Sequence, residues 1–568
     1  MTIGDSITNS YLKNIKRFIQ KMPIIYILLH NGFNLKKTLI DIKGYNNIKR
    51  NDLFDSRFYQ KKYNDLNNQN INLLLHYIYH GAKEFKNPNK DFDTKYYMKK
   101  YKDVKKSGLN PLIHYVLYGI GEKRFINIEK EELVHKKEII DKNMKNINLK
   151  DFKSDSPLVS IIILNRNGIN HLKRLFKDFK ENIQYPNYEV IVVDNASCDN
   201  SVEYLERIND IPIKIIKNKI NESFSKANNK AISVSNGEFI LLLNNDIETT
   251  YGWLNEMMQT LERNNYNCTV GAKLVYPKIH GKNHKESFKV QHAGMAFDEY
   301  SDGSILPYNI GNRYKPFDKK INMESKRGGV TAAVLLVKRS IYEELGGLDE
   351  DYNYGYEDVD FCLKILKNGY DNIYCPNALL FHYEYGTDRV LHAYFEQRNR
   401  GILNKAFLFY KWNKYLAKNI LKEKINKEKI LTEKKLNIIF LLNNENNIQK
   451  KIHELVDSIN KYGWEAKIIN IDEEFVYGLN NNVDILISTI PNFSPRELHG
   501  TKINLLKFGF IEDSINYWLN NPFIREYDFL LTNDNKIHEK LVKNSFNTSL
   551  ASLKLENLID FIKNNFLK

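Results

Sequence analysis

The sequence predicts an α/β chain built around a parallel sheet, with a helical module ahead of it and a second α/β unit behind. From Leu158 onward, apolar runs of strand length alternate with helical patterns. Two of those runs stop abruptly in polar residues. Ligands of parallel sheets gather at such strand ends. Upstream, a set of aromatic, acidic and glycine residues recurs at an interval of 38 positions, the mark of one supersecondary unit used twice.

At 568 residues the chain is too long for one ordinary domain. Its 84 basic and 69 acidic side chains leave a formal charge of +15, which suits phosphate-bearing small molecules, anionic lipid surfaces or nucleic acid. No nucleic acid partner is expected, because neither a basic helix nor an aromatic stacking motif accompanies the charge. The four cysteines, Cys198, Cys268, Cys362 and Cys375, form no C-x-x-C pair and match neither a zinc site nor a disulfide frame. They read as reduced thiols of a cytoplasmic protein. The apolar run Pro23 to Leu29, behind Lys13, Lys16 and Arg17, is too short for a signal-peptide core. No stretch reaches the ~20 apolar residues of a membrane span.

Residues 1–50 read as a helical segment. Residues 51–126 carry the repeat: Phe54-Asp55 returns as Phe92-Asp93, Tyr63 as Tyr101, Asp65 as Asp103, His76-Tyr77 as His114-Tyr115, and Gly81 as Gly119. Two short helices per unit are expected, with Pro111 in a first turn and Gly81 and Gly119 as C-terminal stops. His76 and His114 each lie beside an aromatic residue and read as core histidines rather than metal ligands. Residues 127–155, rich in charge, form a linker.

Residues 156–390 form the central domain. Strands are expected at Val159 to Leu164, Glu189 to Asp194, Ile213 to Ile216 and Phe239 to Leu243, with helices at His171 to Phe179 and Phe224 to Val234. A helical extension, 391–430, includes the apolar stretch Gly401 to Tyr410, interrupted by Lys405. A buried helix is the favoured reading there and a membrane-surface helix the other. Residues 433–568 repeat an α/β pattern with strands at Asn437 to Leu442, Ala466 to Ile471, Val483 to Ser488 and Phe529 to Thr532. The four glycines of this Rossmann-like accessory domain, Gly463, Gly478, Gly500 and Gly509, build no phosphate-cradling loop.

The chemistry concentrates in the central domain. Gly355-Tyr356-Glu357-Asp358-Val359-Asp360 sets three carboxylates within four positions, at the mouth of a helix from Phe361 to Leu366. Like charges so close repel in a helix interior, whereas the free N–H groups of a helix start favour anions. A solvated first turn is one account; a base, a metal neighbour or an acceptor clamp is the other. The second strand ends in Asp194 and Asn195, the fourth in Asn244-Asn245-Asp246. Asp194 can accept from the N–H of a pyrimidine ring, and Asp246 can ligate a divalent cation that holds a diphosphate. Both could equally be turn residues. Gly328-Gly329-Val330-Thr331-Ala332-Ala333 is either a close backbone approach near an acceptor or the start of a buried strand.

In this order the motifs resemble a family 2 glycosyltransferase of the GT-A fold over residues 157–385, closest in pattern to its rhamnosyltransferase-type subgroup. The markers are Val159-Ser160-Ile161-Ile162-Ile163-Leu164-Asn165-Arg166-Asn167, Val193-Asp194-Asn195-Ala196-Ser197, Asn244-Asn245-Asp246, Gln291-His292-Ala293-Gly294, Leu345-Gly346-Gly347-Leu348-Asp349-Glu350, Glu357-Asp358-Val359-Asp360, and Pro376-Asn377-Ala378 leading to His382. The resemblance implies an inverting, metal-dependent transfer of a sugar from a nucleoside diphosphate to a hydroxyl. It implies Asp358 as the base, with Glu357 and Asp360 shaping the pocket. Asp246 and His382 would meet Mn2+ or Mg2+. Asp194 would hold the nucleobase, helped by Asn165 and Asn167, with Asn195, Asn244 and Asn245 also lining the nucleotide-sugar site. Asn229 would brace the metal loop. Asn244 stands where the family usually has aspartate, which weakens a cation's hold there. His392, Arg398 and Asn399 would lie in a helix packed back on the site. The repeat resembles modules that accompany bacterial glycosyltransferases, and the C-terminal unit the first half of a two-Rossmann glycosyltransferase. The expected partners are a nucleotide-sugar donor and a glycan, lipid-linked or protein acceptor, in bacterial surface polysaccharide or glycoprotein synthesis, with peripheral membrane contact at the inner face of the cell membrane. The alternative is a catalytically inactive glycan-binding or scaffold protein.

Overall fold

The computed structural model describes residues 22–66, 71–277, 287–300, 302–352, 355–383, 391–442, 448–470, 483–495, 505–513, 515–551 and 553–567, with backbone alone for 391–400. The chain forms two compact units, Met1–Ile139 and Ile140–Lys568.

The first unit is all-helical among its described residues, and its repeat is reproduced bond for bond. Ser56–Lys62 and Thr94–Lys100 are the first helices of the two copies, N-capped by Asp55 and Asp93. Leu73–His76 and Pro111–His114 are the second, N-capped by Asn72 and Asn110. Each runs on into a wider turn, Tyr77–Gly81 or Tyr115–Gly119. The Tyr59 hydroxyl bonds Nδ1 of His76 at 3.1 Å, and that of Tyr97 bonds Nδ1 of His114 at 3.2 Å. Both histidines are thus satisfied core partners. Gly81 and Gly119 end their turns for a steric reason: a Cβ at either would overlap the Tyr59 or Tyr97 hydroxyl. Each copy is also closed by the residue that follows it. Asn89 Nδ2 donates to Leu53 O at 2.7 Å in the first, and Asn127 Nδ2 donates to Asp91 O in the second at the equivalent place.

The second unit opens on a mixed sheet. Its strands are β1 (Val159–Asn165), β2 (Tyr188–Asn195), β3 (Ile213–Asn218), β4 (Phe239–Asn244), β5 (Ile247–Glu248), β6 (Cys268–Val275), β7 (Val290–His292), β8 (Met295–Glu299), β9 (Ile305–Asn309), β10 (Ser325–Arg327), β11 (Val334–Lys338) and β12 (Asp371–His382). The order β10-β12-β6-β11-β4-β1-β2-β3 keeps β1 to β4 parallel, while β11 runs against both β4 and β6. β8 and β9 form a separate hairpin. Because β1 and β4 are covered on both faces, their centres, residues 161–164 and 239–243, are continuous apolar runs instead of alternating. One face packs on Trp253, Met257 and Leu261 of helix Trp253–Arg263. The other packs on Ala227 and Ala231 of helix Phe224–Ser233 and on Phe361, Cys362 and Ile365 of helix Glu357–Lys367. The predicted helix His171 to Phe179 is instead two short ones, Ile169–Leu175 and Phe179–Ile183.

A long helix, Leu391–Asn426, leads out of this domain. Its Leu408, Trp412, Leu416 and Ile420 are buried against Met295, Phe297, Tyr352 and Val359. Near its end a buried ion pair, Lys424 Nζ to Asp484 Oδ1 at 2.7 Å, ties it to the last domain. There β13 (Asn437–Leu442), β14 (Glu465–Asn470), β15 (Ile485–Ser488), β16 (Leu506–Phe510), β17 (Phe529–Thr532) and β18 (Thr548–Leu550) form an all-parallel sheet in the order β14-β13-β15-β16-β17-β18. The sequence reading lacks β16 and β18. The first carries a lysine and a glycine within five residues, and the second is a three-residue polar edge strand. The cysteines of the described chain are free thiols, as expected. Gly478, Gly500 and the side chains of His392, Arg398 and Asn399 lie outside the described residues.

Candidate functional site

Adjacent parallel strands bring polar side chains to one edge of the central sheet. Asn165 of β1 is in register with Asp194 of β2, and Leu164 of β1 with Asn244 of β4. The Asn165 amide sits between them: Nδ2 donates to Asp194 Oδ1 at 3.4 Å and Oδ1 accepts from Asn245 Nδ2 at 2.8 Å. The other Asp194 oxygen accepts from the Ser197 N–H at 3.1 Å. Asn167, with a left-handed φ of +50°, locks its loop to the same turn, its N–H donating to Ser197 Oγ at 2.9 Å and its Oδ1 accepting from the Cys198 N–H at 2.8 Å. Only glycine fits at 168, since a Cβ there would overlap both Asn165 Oδ1 and Asn245 Nδ2.

Asn195, expected to line the nucleotide-sugar site, and Asn229, expected to brace the metal loop, both have their amides taken up by neighbouring turns. Asn195 donates to Asn221 Oδ1 and Glu222 O, both at 2.9 Å, and accepts from Asn218 Nδ2 and the Glu222 N–H. Asn229 donates to Leu348 O and Glu350 Oε1, both at 2.9 Å, and accepts from the Tyr342 hydroxyl and the Leu348 N–H. Each amide has used both donors and both lone pairs. Asn229 therefore holds the Gly346–Glu350 turn rather than the Asp246 loop.

Asp246 and His382 face each other across β5 and β12, with Asp246 Oδ1 3.1 Å from His382 Nε2. Burial pushes the Asp246 carboxyl up, but the His382 imidazole, with His171 further off, outweighs it and holds the group below its usual value. The far nitrogen of His382, Nδ1, lies 2.8 Å from Gln291 Oε1. An amide oxygen only accepts, so Nδ1 carries a hydrogen. That leaves two lone pairs opposed at 3.1 Å, Nε2 and the carboxylate, unless a proton or a cation sits between them. The pair is built to hold positive charge.

Asp358 closes the other side. Glu357, Asp358 and Asp360 lie in the first turn of helix Glu357–Lys367 and not ahead of it. Gly355 and Tyr356 are both left-handed, at φ +88° and +72°, and Tyr356 is an aromatic residue in a conformation its Cβ disfavours. Asp358 Oδ2 accepts from the Ala332 N–H at 3.1 Å, and Oδ1 from the Val359 N–H at 2.8 Å. The stretch holding it is shared with the Asp246 side. Thr331 N–H donates to His292 Nε2 at 3.3 Å, next in sequence to Gln291, and Asn244 N–H donates to Ala333 O at 2.9 Å. Burial pushes His292 down to about 4, so it is a neutral acceptor for Thr331, its Nδ1 2.9 Å from Asn309 Oδ1.

The carboxylates of the acidic cluster are not equivalent. Glu357 is buried, its Oε2 has no hydrogen-bond partner among the described residues, and burial together with the Asp358 charge pushes it up to about 8. Burial also raises Asp358, against the hydrogen bonds it accepts. Glu357 is therefore the protonated member and Asp358 the anion. A group raised on folding contributes stability below its unfolded value, ordinarily near 4.5, which is lost as pH climbs through the folded value. Glu357→Gln is expected to change stability little near pH 5 and to raise it by up to about 5 kcal/mol near pH 9, read from denaturant titrations at the two pH values.

Asp360 has a different task from the one predicted. It is fully buried and points at the long helix: Oδ1 accepts from Trp412 Nε1 at 2.7 Å and from the Tyr352 hydroxyl at 3.4 Å, and lies 2.7 Å from Lys411 Nζ. Lys364 Nζ is 3.3 Å from Oδ2. Fully buried and turned to the long helix, this carboxylate anchors the helix that carries Asp358. Sequence reasoning overlooked Lys411 and Trp412 as its partners. It quoted Gln291 and His292 in a motif without giving either a role.

The fold and this edge define a nucleotide-sugar type of α/β domain. Residues 160–346 match the family model Glycosyl transferase family 2, and the chain carries a glycosyltransferase domain of that family. It is 32% identical over 237 residues to Uncharacterized protein y4gI of Sinorhizobium fredii, covering 40% of this chain and 25% of that protein. It is 28% identical over 242 residues to the O-antigen biosynthesis protein RfbC of Myxococcus xanthus, covering 41% of this chain and 18% of that one. The chain thus spans a quarter or less of the length of these two relatives. Among solved structures, the mannosyltransferase PcManGT from Pyrobaculum calidifontis, in complex with GDP-Man and Mn2+, aligns at 17% identity and a TM-score of 0.31, over 50% of this chain and 80% of that one.

Proposed function

We propose that the chain is an inverting, metal-dependent glycosyltransferase that moves a sugar from a nucleoside diphosphate to a hydroxyl acceptor. The observation that carries this is the shared wall: the stretch Thr331–Ala333 bonds Asp358 on one side and the His292 and Asn244 elements of the Asp246 side on the other. A base and a charge-holding pair thereby flank one edge of the sheet.

Asp246 and His382 would hold Mn2+ or Mg2+, and such an ion supplies neutralisation of the departing diphosphate. Among the described residues no group of three His, Cys, Asp or Glu is placed to hold a metal ion, so donor oxygens complete its shell in this reading. Gln291 orients His382 for the task. Asp194, half-engaged by Asn165 and Ser197, keeps lone pairs for a pyrimidine N–H. Asp358, ionised and steadied by two N–H groups, takes the proton of the acceptor hydroxyl as it attacks. Protonated Glu357 keeps a second negative charge away from that base. The printed name of one relative, the O-antigen biosynthesis protein RfbC, favours bacterial surface glycan synthesis as the pathway.

The test is incubation with a panel of nucleotide-sugars and Mn2+ or Mg2+, measuring free nucleoside diphosphate. Turnover that stops with EDTA, returns with added metal and is lost in Asp246→Asn supports the reading. Asn244, an amide at a position where a carboxylate would serve a cation better, favours a glycan-binding or scaffold protein instead; absence of donor binding across the panel would establish that alternative.

A further inference from the structure

Gly401 to Tyr410, read from the sequence as a buried helix, is buried on one face only. From residue 401 onward Leu408, Trp412, Leu416 and Ile420 of helix Leu391–Asn426 are buried, but Ile402, Leu403, Ala406, Phe409 and Tyr410 lie on the other face, spaced at three, four and seven residues. Leu403 is 69% exposed, Ile402 60% and Tyr410 89%. A folded protein seldom leaves such a contiguous apolar ridge to water without a use for it. The chemistry around the ridge selects the occupant. Lys414 and Lys418 are exposed further along the helix, and Lys405 flanks its near side. No acidic residue occurs between 401 and 422. Aromatic and aliphatic side chains on one face, with exposed lysines further along and no acidic side chain on this part of the helix itself, make the pattern of a helix that lies in a lipid interface. No described helix is long and apolar enough to cross a membrane, so contact would be along the surface.

We propose that this ridge docks on an anionic lipid surface, with Ile402, Leu403, Phe409 and Tyr410 entering the headgroup boundary and Lys414 and Lys418 meeting lipid phosphates. The same helix bonds Asp360 through Lys411 and Trp412, so docking holds the Asp358 helix beside the lipid. That an acceptor is presented there rests on the transferase reading; the docking itself does not.

The test is co-sedimentation of the full chain with vesicles of phosphatidylglycerol and phosphatidylcholine, against vesicles of phosphatidylcholine alone. Binding to the anionic vesicles is expected, reduced at least about tenfold in Phe409→Ser/Tyr410→Ser and in Lys414→Glu/Lys418→Glu. All four side chains are solvent-facing, so both variants fold, which circular dichroism checks. No binding to the anionic vesicles overturns the proposal, as does wild-type binding in both variants. So does a wild-type chain that self-associates in light scattering while Phe409→Ser/Tyr410→Ser is monomeric and binds vesicles unchanged, which makes the ridge a contact between copies. Vesicle binding needs no donor, so its failure leaves nucleoside diphosphate release intact, and loss of that release leaves vesicle binding intact.

Discussion

Asp358→Asn is expected to lower sugar transfer by about 10²–10⁴-fold, the usual contribution of a positioned general base. The substitution is nearly isosteric. Its amide oxygen can still accept from the Ala332 N–H, so the wall between the two halves of the site stays in place. What disappears is the capacity to take a proton at the pH where the hydroxyl attacks. Donor affinity should therefore hold within a few-fold while kcat falls. The measurement is nucleoside diphosphate release alongside donor binding by calorimetry. A variant that loses binding and turnover together would assign Asp358 to donor recognition instead.

Lys411→Met should act on the same chemistry from a distance. Lys411 lies 2.7 Å from Asp360 and 2.6 Å from Asp349, and it is the cation that the fully buried Asp360 shares with Lys364. Lys364 stays 3.3 Å from Asp360, so removing Lys411 leaves the buried carboxylate under-neutralised rather than unpaired, at a cost of about 2 kcal/mol. Part of that strain falls on the first turn of helix Glu357–Lys367, where Asp358 is two residues away. The expected result is a lower unfolding midpoint together with a reduced kcat at saturating donor, and partial recovery of both in Lys411→Arg. Loss of stability with unchanged kcat would confine Lys411 to a structural role.

Much of this was legible in the sequence. The four leading strands of the central domain appear within two residues of their expected ends, because continuous apolar runs have little alternative to a covered parallel sheet. The 38-residue repeat was legible as short helices with core histidines, since a repeated sequence must bury the same face twice, but the tyrosine partners of His76 and His114 were not. Asp360 was not legible. Its neighbours in sequence suggested a pocket role, while its partner Lys411 lies far along the chain on another helix. The saturation of Asn195 was hidden for a related reason: an amide at a strand end looks free until the loop that takes up its donors and lone pairs is folded over it. The ridge at Ile402 to Tyr410 shows the opposite failure, because hydropathy registers apolar content and not the side of a helix on which it lies.

The closed form of the helical repeat has a consequence for how such a chain can change over generations. The starting carbonyl of each copy is met by the residue just past it, Asn89 or Asn127, and Asp93 N–H is met by Ile126 O just as Asp55 N–H is met by Pro88 O. The copies also bond one another: Asn110 Nδ2 donates to Ile78 O at 3.0 Å, and the Tyr77 hydroxyl meets Thr94 Oγ1 at 2.9 Å. Insertion of a further 38-residue block would reproduce junctions already present, whereas loss of one would strand the groups that bond across them. Growth of such an array is therefore open to gene duplication in a way that shrinkage is not.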